Sequence, residues 1–171
     1  MTSSSLNVHT LLDSLASDLA LLIKKRQLNN PYIVGIQTGG VWVAEHLRAA
    51  LEISEEVGSL DICFYRDDFD QTGMHRKSAP SSLPVPTDDR DIILVDDVIL
   101  SGRTIRAAIN ELFDYGRPAS VTLVTMIDLQ RRQLPFQPDV VGTRLLLSPG
   151  ERVKLVQNDE LTLEIKGLNL S

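Results

Sequence analysis

Two adjacent carboxylates, Asp96 and Asp97, follow the apolar run Ile92-Ile93-Leu94-Val95 and precede Val98-Ile99-Leu100-Ser101-Gly102-Arg103-Thr104. The apolar run reads as a buried strand, and helical spacing begins at Ile105, Ala108, Ile109 and Leu112. The stretch is therefore strand, glycine-containing turn and helix start. Backbone N–H groups in the first turn of a helix lack intrahelical acceptors and lie at the positive end of its dipole, so they attract an anion. Ser101 and Thr104 add hydroxyl donors, and Gly102 lets the backbone come close. Phosphate is the natural guest. An ionised aspartate only accepts hydrogen bonds, so Asp96 and Asp97 need another partner, and a sugar vicinal diol is one. Phosphate and diol together make a ribose 5-phosphate, the group expected between Asp96 and Thr104. The plainer alternative is a strand ending in a polar turn and helix cap. A P-loop is excluded, because no Gly-x-x-x-x-Gly-Lys precedes a helix.

The elements that must hold this loop alternate along the chain. Val8, Leu11, Leu12, Leu15, Leu19, Leu22 and Ile23 recur at helical spacing, predicting a helix over Val8–Leu28. Lys24, Lys25 and Arg26 fall in its last turn, the end that favours cations. Tyr32–Ile36 reads as a strand, Thr38-Gly39-Gly40 as a turn, and Val41–Leu51 as a helix. Strands are predicted at Leu60–Tyr65, Asp91–Val95 and Val121–Ile127, with a helix over Arg103–Tyr115 closed by Gly116 and Pro118. Short strand-like pieces follow at Val140-Val141, Lys154–Val156 and Leu161–Ile165. This alternation predicts an α/β domain with a mainly parallel sheet, whose ligands sit at strand carboxyl ends near a topological switch point. The rule nominates the segments after Ile36, Tyr65, Val95 and Ile127.

One connection, from Arg66 to Arg90, is long for a small domain and carries Pro80, Pro84 and Pro86. It is read as a mobile cover over the site, since it starts at a strand's carboxyl end, with a surface excursion as the alternative. The 171 residues suffice for one domain, 1–171, with a substantial core. No run approaches a membrane span, and Met1–Ser5 reads as a frayed tail, not a secretory signal. One cysteine, Cys63, leaves no internal disulfide and no multi-cysteine zinc site. A cytoplasmic location is the default. The net charge of −6 gives duplex binding no help, though a local basic patch would suffice for nucleic acid. His9, His46 and His75 are scattered, so no structural metal is expected. Trp42 is read as packing, with base stacking as the alternative.

The thirteen residues Ile92–Thr104 resemble the phosphoribosyl pyrophosphate-binding motif of type I phosphoribosyltransferases. Val34-Gly35-Ile36-Gln37-Thr38, Asp61 with Tyr65-Arg66-Asp67-Asp68, and Gly116-Arg117-Pro118 resemble one branch of that superfamily. It is the PyrR family, pyrimidine operon regulators with uracil phosphoribosyltransferase activity. The likeness runs over roughly Asn29–Leu163 and implies the type I phosphoribosyltransferase fold with a flexible hood.

The resemblance implies that Asp96 and Asp97 hold the ribose hydroxyls while Val98, Ile99, Leu100, Ser101, Gly102, Arg103 and Thr104 cradle the 5-phosphate. Thr38, Gly39 and Gly40 correspond to the pyrophosphate loop, and Arg66, Asp67, Asp68 and Asp128 complete the site, with Arg66 counted beside the acids as catalytic. The implied reaction joins uracil to phosphoribosyl pyrophosphate, giving UMP and pyrophosphate, with Mg2+ carried by the pyrophosphate and not caged by protein side chains. Asp-Asp favours this over the hypoxanthine-guanine enzymes, which tend to carry Glu-Asp. Two departures stand out. Gly39 replaces a usual arginine, which costs on the order of 10- to 100-fold if one charge-assisted hydrogen bond is lost. After Asp128, Leu129-Gln130-Arg131-Arg132-Gln133-Leu134-Pro135 replaces Arg-Gly-His-Arg-Glu-Leu-Pro. Arg131 and Arg132 are read either as a solvated loop or as facing RNA or pyrophosphate. Lys24, Lys25 and Arg26 are either a solvated helix end or contacts to a messenger RNA leader stem-loop. Homodimers or homotetramers are implied, as is an alternative state that senses nucleotides and binds RNA with weak catalysis.

Overall fold

The computed structural model describes residues 6–62 and 80–167. These residues form helices α1 (Val8–Arg26), α2 (Gly39–Ala50) and α3 (Arg103–Asp114). The strands are β1 (Tyr32–Ile36), β2 (Gly58–Leu60), β3 (Asp91–Ile99), β4 (Ser120–Asp128), β5 (Val140–Arg144), β6 (Arg152–Gln157) and β7 (Leu161–Lys166). The first five strands make one parallel sheet in the order β2-β1-β3-β4-β5, and β6 and β7 pair antiparallel as a separate hairpin. This is the α/β architecture expected from the alternating pattern.

Both sheet faces are covered, which is why the strands read as continuous apolar runs. Along β3, Ile93 and Val95 face the cluster built by Leu12, Leu15 and Leu19 of α1 and Val43 and Leu47 of α2. Ile92 and Leu94 face the cluster of Ile105, Ala108 and Leu112 from α3. Asn7 starts α1 by accepting the Thr10 N–H through its side chain at 3.1 Å. Gln27, left-handed at φ 53°, ends it one residue before the predicted Leu28.

Several boundaries differ from expectation, and two of them bear on the site. Strand β3 does not stop at Val95. Its pairing with β4 continues through Asp96–Thr125, Val98–Ile127 and Ile99–Asp128, because buried backbone groups must find partners. Both acids therefore lie on a strand. Helix α2 starts at Gly39, so the expected glycine turn is its first turn. Strand β2 is Gly58–Leu60 where Leu60–Tyr65 was predicted; residues 63–65, with Cys63, lie outside the described residues.

The segment read as a cover, 66–90, is divided by the structure. Residues 80–90 contact β2 and α3. Ser82 exchanges backbone hydrogen bonds with Ser59 of β2 at 2.8 Å, Ser81 Oγ donates to Glu111 of α3, and Leu83 and Val85 pack on the α3-side core. Only the part before residue 80 remains for that role, and residues 63–79 lie outside the described residues.

The strand order reverses at β1. From β1 the chain crosses to β2 on one side, then returns to β3 on the other. The crevice between the carboxyl ends of β1 and β3 is therefore the switch point where α/β sheets bind ligands, and the start of α2 and the acid pair meet there.

Candidate active site

β3 continues through Asp96 and Asp97, but the regular alternation that holds up to Val95 changes phase across them, since Val98 packs with the α1–α2 cluster and Ile99 with the α3 cluster. The two acids are not equivalent. Asp96 is 2% exposed. Its Oδ1 accepts the Asp97 N–H at 2.9 Å. Asp97 is partly exposed and accepts the Val98 N–H through Oδ1 at 2.9 Å. The two acids expected to act together thus differ in burial, Asp97 being the more exposed.

The first turn of α2 approaches these acids closely. A Cβ on Gly40 would stand 2.5 Å from the Val95 carbonyl oxygen and 3.1 Å from Asp96 Cα. A Cβ on Gly39 would stand 2.2 Å from Asp97 Oδ2. Thr38 precedes this turn and is exposed, and the Gln37–Thr38 peptide is cis.

The phosphate loop is shorter than the residues suggested, since Val98 and Ile99 still pair with β4. Leu100, Ser101 and Gly102 alone join β3 to α3. Gly102 holds φ 93°, a left-handed conformation costly for a residue with a Cβ. Ser101 is buried, and its Oγ accepts the Arg103 N–H at 3.2 Å, so this hydroxyl braces the turn. Thr104 is half-buried on the first turn of α3. Arg103 is exposed and donates from Nε to Gln133 Oε1 at 3.0 Å.

A second loop, after β4, holds the first in place. Arg132 donates from Nη1 to the Leu100 carbonyl at 2.9 Å and from Nη2 to Asp128 Oδ2 at 2.8 Å. The side chains of Arg132 and Asp128 are only 13% and 4% exposed. The Ser101 carbonyl also accepts the N–H groups of Gln133 and Leu134, at 2.9 and 3.0 Å. Sequence reading offered Arg132 as solvated or as facing RNA or pyrophosphate. Its Nη1 and Nη2 are engaged inside the protein, on Leu100, Asp128 and Gln137, while its buried Nε has no partner among the described residues. The i, i+4 spacing of Asp128 and Arg132 was a signal for the ion pair. Nothing local pointed to Leu100 as the second acceptor, and Gln133 was likewise missed.

Burial alone would push the Asp128 carboxyl up, but the Arg132 hydrogen bond, the Gln130 N–H and the charges of Arg132 and Arg144 hold it below its ordinary value. As pH falls, the unfolded chain therefore takes up this proton before the folded one does. The stability that the ionised form contributes is complete above the ordinary carboxylate range of about pH 4 and is lost as pH falls through the lower folded value. Urea midpoints measured between about pH 6 and pH 2.5 should show a steeper acid limb for wild type than for Asp128→Asn. Equal slopes would remove the ion pair from the acid response.

The other nominated residues are spread more widely. Arg66, Asp67 and Asp68 lie outside the described residues, as does His75. Lys24 and Lys25 are exposed, whereas Arg26 pairs with Asp139 at 2.6 Å. Arg131 is exposed and its Nη2 donates to the Leu147 carbonyl. Trp42 packs against the α1–α2 core, the packing alternative. Among the described residues no group of three or more His, Cys, Asp or Glu could hold a metal ion. None of the described helices is long and apolar enough to cross a membrane.

Comparison with known proteins agrees with this geometry. Residues 6–147 match the family model described as "Phosphoribosyl transferase domain". The chain is 55% identical over 163 residues to the "Bifunctional protein PyrR" of Pseudomonas paraeruginosa, covering 95% of this chain and 96% of that protein. It is 50% identical over 163 residues to the protein of that name from Pseudomonas syringae pv. tomato, with the same 95% and 96% coverage. Among solved structures, a hypoxanthine-guanine phosphoribosyltransferase from Bacillus anthracis superposes with a TM-score of 0.65 at 19% identity, over 85% of this chain and 86% of that one. A hypoxanthine phosphoribosyltransferase from Staphylococcus aureus gives 0.64 at 19% identity, over 88% and 81%. At such identities these two structures speak for the fold alone.

Proposed function

The chain belongs to the phosphoribosyl transferase family, in its PyrR branch, and from that premise we propose that it is a uracil phosphoribosyltransferase and a UMP-responsive regulator of pyrimidine biosynthetic genes. The observation that carries the reading is the convergence, at the sheet's switch point, of an exposed carboxylate, a glycine-opened helix start and a second helix start on a tight loop. The 5-phosphate sits on the first turn of α3, between Leu100 and Thr104. Asp97 accepts from the ribose diol, and Asp96, through the Asp97 N–H, keeps that residue's backbone in place. Thr38, Gly39 and Gly40 receive the pyrophosphate through backbone amides at the start of α2. Arg66, Asp67, Asp68 and Asp128 belong to the same proposal, with Arg66 catalytic and Asp128 acting through Arg132.

In the transfer, a uracil ring nitrogen bonds to the anomeric carbon and gives up its proton to solvent or to the departing pyrophosphate, as the carbon–oxygen bond to pyrophosphate breaks. The ribose ring gains oxocarbenium character, and a fixed carboxylate nearby stabilises that charge. No side chain need act as a nucleophile. The donor set suits Mg2+, a hard cation that prefers oxygen ligands, retains waters and is bound through one or two carboxylates with substrate phosphates. Asp97 supplies such an oxygen beside the proposed pyrophosphate site. When bound, Mg2+ neutralises charge on the leaving group.

Regulation requires a messenger RNA contact that responds to UMP. Lys24, Lys25, Arg26 and Arg131 are the nominated cations that remain exposed, Arg26 in an ion pair with Asp139, while Arg132 is largely buried in its pair with Asp128. Leu21, exposed on α1 beside Leu22, Val140 and Val141, supports assembly into homodimers or homotetramers. The chain works as one domain, and a cytoplasmic location suits an RNA target. The first test is a steady-state assay with labelled uracil, phosphoribosyl pyrophosphate and magnesium. UMP and pyrophosphate are the expected products, with hypoxanthine and guanine left unused. Turnover of purines alone would overturn the assignment.

A further inference from the structure

Ser81 touches two elements at once. Its Oγ accepts the Asp61 N–H at 2.8 Å and donates to the Glu111 carboxylate of α3. A hydroxyl is a small group that can accept and donate together. Asp61 is the residue after β2, at the strand's carboxyl end. Next to Ser81, Ser82 exchanges backbone hydrogen bonds with Ser59 in the middle of β2. On its other edge β2 holds the residue in front of the proposed pyrophosphate loop. Gln37 donates its N–H to the Leu60 carbonyl at 2.9 Å and its Nε2 to Ser59 Oγ at 3.2 Å. Thr38, the cap of α2, follows it. A continuous run of contacts therefore joins α3, where the 5-phosphate is proposed to sit, to the loop proposed to take the pyrophosphate. It passes from Glu111 through Ser81 and the end of β2 to Gln37.

We infer that Ser81 is a positioning residue for the pyrophosphate loop, fixing the carboxyl end of β2 against α3 so that the two anion subsites keep the spacing of one phosphoribosyl pyrophosphate. The inference rests on the two subsites proposed above. The acceptor on α3 is a carboxylate, which places this hydrogen bond in the stronger, charge-assisted class. UMP carries only the 5-phosphate and uses one subsite, whereas phosphoribosyl pyrophosphate spans both. Loss of the Ser81 link therefore acts on the longer ligand, while a general loosening of the fold would weaken both alike.

The test compares affinity for phosphoribosyl pyrophosphate with magnesium and affinity for UMP, by titration calorimetry on wild type, Ser81→Ala, Glu111→Ala and the double variant. Hydrogen exchange at the Asp61 amide and the melting temperature are recorded for each. Either single substitution is expected to weaken phosphoribosyl pyrophosphate binding about 10-fold, the loss of one hydrogen bond to a charged group, and to change UMP affinity less than about twofold. Asp61 exchange should be faster in Ser81→Ala. The double variant should bind no more weakly than the weaker single one, because both substitutions remove the same contact. Parallel loss of both ligands overturns the inference, as do unchanged affinities or effects of the two substitutions that multiply. Wild type that binds neither ligand, with Asp61 exchange still faster in Ser81→Ala, would overturn the phosphoribosyl reading, and with it the ligand role of Ser81, while the contact itself stands.

Discussion

Asp97→Asn is expected to weaken UMP binding by about 10- to 100-fold while moving the melting temperature by no more than about 2 °C. The substitution keeps the shape of the side chain but removes its charge and turns one acceptor into a donor. A ribose diol needs acceptors that are charged and already oriented, and hydrogen bonds to charged groups contribute about 1.5–3 kcal/mol. Stability should hardly change, because Asp97 is partly exposed and the amide oxygen can still accept the Val98 N–H. Asp96→Ala should behave in the opposite way. Asp96 is buried, and its Oδ1 accepts the Asp97 N–H. Leaving a buried donor unsatisfied costs about 1–3 kcal/mol, so this variant should melt earlier, and its UMP affinity should fall only as far as Asp97 is displaced. Calorimetric titration with UMP beside thermal melts separates the two patterns. Identical profiles would mean that the acids act as a matched pair, against the difference in their burial.

Arg132→Ala is expected to produce the largest loss of stability, about 3 kcal/mol, the lower end for removing one partner of a buried ion pair. For a chain of this size that corresponds to a melting temperature lower by roughly 6–12 °C. Two acceptors are abandoned at once, the Asp128 carboxylate and the Leu100 carbonyl. The Asp128 loss is softened by the Gln130 N–H, donated at 2.7 Å. The Leu100 loss reaches function, because that carbonyl lies in the three-residue link between β3 and α3 that must hold the phosphate. Affinity for UMP should therefore fall along with stability. Arg132→Lys should recover little. A single ammonium lacks the planar fork whose separate nitrogens reach the two acceptors in different directions. Full recovery by lysine of both melting temperature and UMP affinity would show that charge alone matters at this position and sink the strut. Denaturant melts and UMP titrations of the two variants decide it.

The residues that could be read along the chain are those whose partners are near in sequence. Apolar run, paired acids, Gly102 and the helical spacing from Ile105 lie within one short stretch, so strand, turn and anion-binding helix start were legible without a fold. The α/β class followed for the same reason, since strand and helix periods are local properties. The strand order was not legible, but the rule that ligands sit at strand carboxyl ends already nominated the segments after Ile36 and Val95, and β1 and β3 prove to be neighbours.

Tertiary structure decided everything that depends on distant partners. Pairing with β4 carried β3 past Val95, so that Asp96 and Asp97 lie on the strand, one buried and one partly exposed. Hydrogen bonding of a buried ladder outweighs the weak strand preference of aspartate, and no periodicity in the sequence reports how far a ladder runs. Arg132 reaches the Leu100 carbonyl, thirty-two residues earlier, a partner that no local spacing indicates. The sequence by itself determined which chemistry the chain carries, because residue type and short spacing suffice for a phosphate loop. Which of its charged groups face the ligand and which hold the scaffold was settled by packing, since burial and hydrogen-bond satisfaction are properties of the assembled core.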